Sequence, residues 1–102
     1  MADLKVDANG NISVITPADG VSYTREELQS YCGGGIKLFP TESTFIIINI
    51  DGDMLLLPFN GIVTNWLIDS KHNANCRGTG LQIDKENIDL TKILDRVEVS
   101  EE

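Results

Sequence analysis

The chain has 102 residues, of which 41% are hydrophobic, and a formal net charge of −8 from 16 acidic and 8 basic side chains. This size and apolar content predict one domain over residues 1–102, with a core that needs neither a metal nor a disulfide. The acidic excess argues against non-specific binding to nucleic acid or an anionic membrane, because both require Lys and Arg to neutralise phosphate.

The start of the chain lacks the basic stretch and long apolar run of a secretory signal. The longest apolar run, around Phe45–Ile48, is too short to span a bilayer. We therefore expect a cytoplasmic location, where Cys32 and Cys76 would remain free thiols.

The first predicted element is a β-hairpin at the edge of a sheet. Apolar and polar residues alternate on both sides of Asn9-Gly10, from Leu4 to Asp7 and from Ile12 to Thr16. An Asn-Gly pair in that position predicts a two-residue turn with positive φ at both residues.

A short helix follows the hairpin. Thr24 and Glu27 have the spacing of a capping box, and Leu28 and Tyr31 lie three residues apart on the face expected to meet the sheet. Three glycines at Gly33–Gly35 then end the helix. Phosphate-binding loops precede a helix rather than follow it, so these glycines are better explained as a structural cap.

The centre of the chain predicts a three-stranded meander. Ile36–Phe39 alternates, Thr44–Ile50 is nearly all apolar as in a strand covered on both faces, and Asp51-Gly52 is a turn into Met54–Leu57. Pro58 ends the last of these strands, since proline cannot donate a hydrogen bond to a ladder.

The remaining third predicts two helices and a late strand. Asn60 can cap a helix over residues 61–68, a polar loop covers 69–75, and a strand covers Arg77–Asp84. Asp89 can cap a last helix, and the acidic tail at 98–102 is expected to fray. The apolar positions of these two helices are Ile62, Val63, Trp66 and Leu67, then Leu90, Ile93, Leu94 and Val97.

Together these elements predict an α+β fold. We expect a small, mostly antiparallel sheet, made of an N-terminal hairpin, a central meander and one late strand, packed with two or three short helices.

Candidate catalytic and metal-binding residues are few. His72 and Cys76 could supply two metal ligands, but structural zinc needs four and catalytic zinc usually three, so an exposed loop histidine is the simpler interpretation. Cys32 lies at a helix C-terminus, where the helix dipole raises a thiol pKa and disfavours a nucleophile. Asp51 and Asp53 fit a solvated turn as well as an acid–base pair. We therefore predict no enzyme activity, no metal and no cofactor.

A small-ligand site is the remaining chemical hypothesis. Arg77 stands beside two glycines in a polar loop, where an arginine can bind a carboxylate or phosphate. It could meet Asn60 at one end of the sheet, with the backbone of Gly33, Gly34 and Gly35 nearby. The alternative is a capping asparagine and a surface arginine.

The order of short motifs resembles a family of small uncharacterised bacterial and phage proteins. The motifs run from Leu28-Gln-Ser-Tyr-Cys-Gly-Gly through Asp51-Gly52 to Leu57-Pro-Phe-Asn60. That family has patterns like Leu-Gln-x-x-Val-Gly-Gly-Tyr-Ile-Glu and Leu-Pro-x-Asn, whereas this chain has Gly35 at the usual aromatic position and Lys37 at the acidic one. The resemblance implies a bacterial, intracellular accessory protein of mobile elements, without assigning an activity.

These observations favour a non-enzymatic protein-interaction module. It would bind a protein partner through a sheet edge or its acidic surface, and a self-paired edge would make a homodimer. Two alternatives remain: a small-ligand or nucleotide-binding protein that uses Asn60 and Arg77, and an acidic mimic of DNA.

Overall fold

The computed structural model describes residues 2–93 and 97–100. Its helices are α1 (Arg25–Cys32), α2 (Gly61–Asp69) and α3 (Leu90–Ile93), with a single 3-10 turn at Lys85–Asn87. Its strands are β1 (Asp3–Val6), β2 (Ile12–Ile15), β3 (Ile36–Pro40), β4 (Thr44–Asn49), β5 (Phe59–Asn60), β6 (Cys76–Arg77), β7 (Gly80–Asp84) and β8 (Val97–Val99).

Among these residues, six strands form one sheet in the order β2-β1-β7-β4-β3-β8, and β5 and β6 form a small second sheet. Every pairing is antiparallel except that of β3 with β8. The predicted α+β class with a mostly antiparallel sheet and short helices is confirmed. Within the described ranges, no helix is long and apolar enough to cross a membrane.

The large sheet carries an apolar layer on each face. Alternate residues of β4 belong to different layers, with Phe45 and Ile47 on the side of α1, and Ile46 and Ile48 on the side of α2. All six residues of β4 are buried, which confirms the prediction of a central strand covered on both faces.

The N-terminal hairpin is present, but its turn differs from the prediction. Val6 pairs with Ile12, so five residues connect the strands, and the Asp7 carboxylate accepts hydrogen bonds from the Asn9 and Asn11 amides at 2.9 Å each. Gly10 has φ +89°, whereas Leu56 and Lys71 are the only described non-glycine residues with positive φ. The prediction of positive φ at Asn9 was therefore wrong.

The capping box of α1 is confirmed. The Glu27 amide donates to the Thr24 hydroxyl at 3.1 Å, and the Thr24 amide donates to the Glu27 carboxylate at 3.0 Å. Leu28 is buried as predicted, whereas Tyr31 is only half-buried and Cys32 occupies the next inward position.

The third strand of the predicted meander does not exist. Met54–Leu57 forms turns outside the sheet, and β7 occupies the position beside β4 instead. The predicted late strand is also divided, because Gly78, with φ +85°, separates β6 from β7. The sheet therefore obtains its inner strand from a distant part of the chain.

The C-terminal prediction was wrong in two respects. Val97 lies in β8 rather than in the last helix, and it pairs with Ile36 of β3. Glu98 belongs to the same strand and lies 3.5 Å from the Lys37 amine, so residues 98 and 99 of the predicted frayed tail at 98–102 form part of a strand. Leu94 and residues 101–102 lie outside the described ranges.

A buried carboxylate joins β1 to the segment before α1. Asp3 is 4% exposed, and it accepts hydrogen bonds from the Tyr23 hydroxyl, the Asn87 amide group and the Asp84 backbone amide, each at 2.8 Å. Burial, with the hydrogen bond to Asp3 as the second cause, raises the pKa of Tyr23 well above its usual value.

Candidate functional site

The segment Asp51–Phe59, named here the apolar loop, projects large apolar side chains into solvent. Met54 is 81% exposed and Leu56 85% exposed, and Leu55 and Phe59 are each more than half exposed. Isolated exposed apolar residues are ordinary on protein surfaces, whereas a cluster of them within one short segment is unusual and requires an explanation.

The backbone of the apolar loop is folded rather than extended. The Leu55 amide donates to the Asp51 carbonyl at 2.9 Å, the Leu56 amide to the Asp53 carbonyl at 3.1 Å, and the Leu57 amide to the Gly52 carbonyl at 3.0 Å. Three overlapping hydrogen bonds define one compact turn. The apolar side chains are therefore presented from an ordered support.

Leu56 has φ +55°, in the left-handed region that L-amino acids with large side chains avoid. This conformation costs roughly 1–3 kcal/mol for a residue other than glycine. Burial does not offset this strain, since the Leu56 side chain is the most exposed large apolar side chain among the described residues. Strain of this kind is concentrated at functional sites.

The guanidinium group of Arg77 contacts the apolar loop at two points. Its Nη1 donates to the Leu57 carbonyl at 3.2 Å, and its Nε lies 3.0 Å from the Asp53 carboxylate. The two contacts join both ends of the turn to β6. The guanidinium predicted to bind a ligand therefore has two intramolecular partners, and its position explains the shape of the loop.

Two glycines let the apolar loop lie against the strand that carries Arg77. A Cβ on Gly52 would lie 3.0 Å from the Arg77 carbonyl oxygen, and a Cβ on Gly78 would lie 2.8 Å from Leu57 Cδ1. The Gly78 amide also donates to the Pro58 carbonyl at 2.7 Å. A larger side chain at Gly52 would push the two segments apart, and one at Gly78 would displace the Leu57 side chain.

Asn60 anchors the end of the apolar loop to the core. Its Oδ1 accepts from the Val63 amide at 3.1 Å, which confirms it as the cap of α2, and its Nδ2 donates to the carbonyls of Val6 and Gly78. The residue is 1% exposed. Asn60 and Arg77 do lie on paired strands, as the ligand hypothesis expected, but the Asn60 amide is fully engaged within the protein.

The glycine triplet follows the C-terminal end of α1. The amides of Gly33 and Gly34 both donate to the Gln29 carbonyl, at 2.8 and 3.0 Å, and Gly33 has φ +83°. The Gly35 carbonyl accepts from the Ile50 amide at 2.9 Å. These contacts form a helix cap, as predicted. Ligand binding by Gly33, Gly34 and Gly35 stays a prediction.

A small cavity lies between the end of β4 and Arg77. Its volume is about 60 Å³, whereas pockets for small molecules usually enclose roughly 300 Å³ or more. The Asn49 side chain at its wall donates to the Cys32 carbonyl and accepts from the Asp51 amide. Water molecules fit this cavity, but a nucleotide does not. The polar residues that line it are Asn49, Asp53, Asn75 and Arg77.

A wider groove of about 470 Å³ runs beside the start of α1, where Glu26, Glu27 and Tyr31 contribute to its lining. Glu27 already accepts hydrogen bonds from the Thr24 and Ala18 amides, and Glu26 pairs with Arg25 at 2.9 Å. The carboxylates are therefore part of the cap and of the surface.

His72 is buried, so the prediction of an exposed loop histidine was wrong. It is 4% exposed, its Nε2 lies 2.7 Å from the Pro40 carbonyl, and its ring meets Phe39 edge-on at 5.1 Å. A carbonyl only accepts, so Nε2 carries the proton. The described residues hold no group of three or more His, Cys, Asp or Glu side chains that could bind a metal ion.

The two cysteines are free and buried, with Cys32 in the layer on the α1 side and Cys76 in the layer on the α2 side. Burial raises the pKa of each thiol to about 12. A nucleophilic cysteine requires a thiolate near neutral pH, and these environments oppose its formation.

The residues that stand out as a surface were not identified from the sequence. Met54, Leu55 and Leu56 were assigned to a buried strand because their apolarity resembles that of β4. One feature could have distinguished them, since they are unbranched at Cβ, whereas strands favour β-branched residues. Comparisons with protein-family models, curated proteins and solved structures gave no match.

Proposed function

We propose that this protein is a non-enzymatic protein-interaction module and that its apolar loop is the binding surface. The observation that carries the proposal is Leu56, which is strained at φ +55° and 85% exposed. Neither its conformation nor its exposure benefits the isolated chain. Both are explained if the side chain enters a pocket of a partner, because burial there offsets the strain.

The chemistry of the loop indicates the kind of partner. Asp51 and Asp53 are exposed beside the apolar side chains, and the chain as a whole carries a net charge of −8. A complementary surface would have an apolar groove for Met54, Leu55 and Leu56 with Lys or Arg at its rim. Such an arrangement buries the apolar centre and leaves the charges at the edge, where they increase the association rate.

The ordered conformation of the apolar loop is a second feature that favours binding. The hydrogen bonds within Asp51–Leu57 and the two contacts of Arg77 hold the turn before any partner arrives. A segment that is already ordered loses less conformational entropy on binding than a flexible one. Arg77 therefore serves the proposed function as a positioning residue.

The small-ligand alternative has less support. Asn60 and Arg77 have intramolecular partners, and the cavity between β4 and Arg77 is small. The proposed setting, a bacterial cell that carries the gene on a mobile element, follows from the motif resemblance. It determines which lysate is used in the experiment.

The test is an affinity purification from bacterial lysate with three immobilised forms of the protein. Leu56→Asn removes the central apolar side chain, and asparagine tolerates the left-handed conformation, so the fold is kept. Ile68→Asn removes a side chain that is 58% exposed on α2 and serves as the control. We expect a partner that the wild type and Ile68→Asn retain and Leu56→Asn loses.

The affinity of that partner is then measured by calorimetry with purified proteins. Loss of one central apolar side chain should weaken binding by about tenfold or more, since interface anchors contribute at least ~2 kcal/mol. Equal affinities for wild type and Leu56→Asn would refute the role of the apolar loop. A stabilising shift by nucleotides or sugar phosphates, with no effect of Leu56→Asn, would favour the small-ligand alternative.

A further inference from the structure

The large sheet has an open edge at β2, remote in sequence from the apolar loop. In the described sheet, β2 pairs with β1 on one side and has no strand on the other. Ile12 is 54% exposed and Val14 68% exposed. An open, uncharged edge with apolar side chains is a template for pairing with another strand.

The hydrogen-bond pattern identifies which backbone groups face outward. In an antiparallel ladder, residue pairs that exchange hydrogen bonds alternate with pairs that do not. The Asp7 amide donates to the Asn11 carbonyl at 3.1 Å, directly beyond the pair Val6–Ile12. Alternation then directs the backbone groups of Ser13 and Ile15 to β1. The amides and carbonyls of Ile12 and Val14 face the open edge.

The side chains on this edge also alternate. Ile12 is paired with Val6, which packs in the layer on the α2 side, so Ile12 and Val14 project from that face of the sheet. Ile15, on the opposite face, packs against the layer on the α1 side. The residues with free backbone groups are therefore the same residues that expose apolar side chains.

We infer that β2 is a dimerisation edge that pairs antiparallel with β2 of a second copy, centred on Ser13. In this register, Ile12 faces Val14 of the second copy and Val14 faces its Ile12. Each of these two pairs exchanges two backbone hydrogen bonds, so four form in total. Ile12 and Val14 of both copies make one apolar cluster on the α2 face, and the two sheets join into one of twelve strands.

A second copy fits this edge because β2 is self-complementary in the register centred on Ser13. Residues 8–18 contain no charged side chain, so two copies approach without facing like charges, although each chain has a net charge of −8. The alternative register centred on Val14 places Ile12 opposite Thr16 and loses the apolar cluster. Two-fold symmetry about Ser13 is therefore the better solution, as in isologous interfaces generally.

The interface is short, and its affinity should reflect that. Four-residue strands bury an area below the roughly 1,200 Å² of stable complexes, which is the range of weak and transient association. We expect a dimer that dissociates on dilution into the low micromolar range or below it. Its formation does not require the apolar loop to bind anything.

Cysteine cross-linking tests the register directly. Ser13 faces itself in a pair without hydrogen bonds, where Cα atoms lie about 4.5 Å apart, within the range of a disulfide. Thr16→Cys is the matched control, because Thr16 is exposed on the same segment but would lie about 20 Å from its own copy, six residues along the strand. Cys32 and Cys76 are buried and do not compete.

Under mild oxidation we expect Ser13→Cys to form disulfide-linked dimers at least tenfold faster than Thr16→Cys. Sedimentation of the wild type over a concentration series should show the transition from 11.2 kDa to twice that mass. Equal cross-linking rates for the two variants would overturn the inference. A wild-type chain that stays monomeric at millimolar concentration would overturn it as well.

Val14→Pro then distinguishes a loss of dimerisation through β2 from a loss of folding. The Val14 amide faces outward, so proline removes no hydrogen bond from the β1–β2 ladder, but it removes two of the four bonds of the dimer. We expect a folded monomer that dimerises at least tenfold more weakly. Val14→Lys leaves the backbone intact, adds a charge to the apolar cluster and should act in the same direction. Dimerisation of both variants at the wild-type concentration contradicts the proposed edge.

Discussion

Two apolar runs lie close together in this chain, and they differ in burial. Phe45–Ile48 is buried in β4, whereas Met54–Leu56 is exposed in the apolar loop only a few residues later. Both have enough hydrophobicity for a core strand. The difference shows that apolarity makes burial favourable, while the available positions in the fold decide which segment is buried.

Strand pairing explains the outcome. β4 has β3 on one side and β7 on the other, so both of its edges are occupied, and helices cover both of its faces. A strand at residues 54–57 would need the position that β7 holds. Arg77 and the close approach of Gly52 to β6 instead keep that segment in a turn beside the second sheet.

The comparison is tested most strongly by truncating one side chain from each run. Ile47→Ala should lower the free energy of unfolding by about 2–5 kcal/mol, because it leaves a cavity in the layer on the α1 side. Leu55→Ala should change it by less than about 0.5 kcal/mol, because that side chain is largely in solvent. Urea unfolding measures both values. Similar losses for the two variants would mean that the apolar loop is packed.

The anchor of the apolar loop should have the next largest effect. Asn60→Ala removes a helix cap and leaves the buried carbonyls of Val6 and Gly78 without their donor, at a cost of about 2–3 kcal/mol. Asn65→Ala, exposed on the same helix, is the control and should be nearly neutral. If Asn60→Ala were as stable as Asn65→Ala, a binding role for Asn60 would become the better explanation.

Loss of the Arg77 contacts should affect the local order of the apolar loop more than the free energy of unfolding. Arg77→Ala removes one hydrogen bond and one exposed ion pair, worth together about 1 kcal/mol. Amide exchange at Leu55, Leu56 and Leu57 should become faster than in the wild type, as measured by NMR. Arg77→Lys keeps the charge but not the two directed donors, so it should resemble Arg77→Ala. Unchanged exchange in both would show that the loop holds its own shape.

The smallest expected change has the opposite sign. Leu56→Asn should raise the free energy of unfolding by about 0.5–1 kcal/mol, since asparagine accepts the left-handed conformation more readily than leucine does. Leu55→Asn, a neighbour without positive φ, should give no such gain. Thermal unfolding compares the two. A loss of stability in Leu56→Asn would indicate that Leu56 makes packing contacts in the free protein.

Local sequence determined the elements whose causes are local. The capping box of Thr24 and Glu27, the cap of α2 at Asn60 and the glycine cap after α1 all depend on neighbours within a few residues. The buried character of β4 followed from composition alone. The α+β class follows from the same patterns, because short helices and alternating strands cannot pack in many other ways.

Tertiary structure decided what depends on distant partners. The buried Asp3 is satisfied by Tyr23, Asp84 and Asn87, and the Nε2 of the buried His72 by the carbonyl of Pro40, a residue 32 positions away. Competition for the place beside β4 likewise separated β7 from the exposed Met54–Leu56. Short-range patterns contain no information about such competition, because a segment's burial depends on which other segments reach the same position with better contacts.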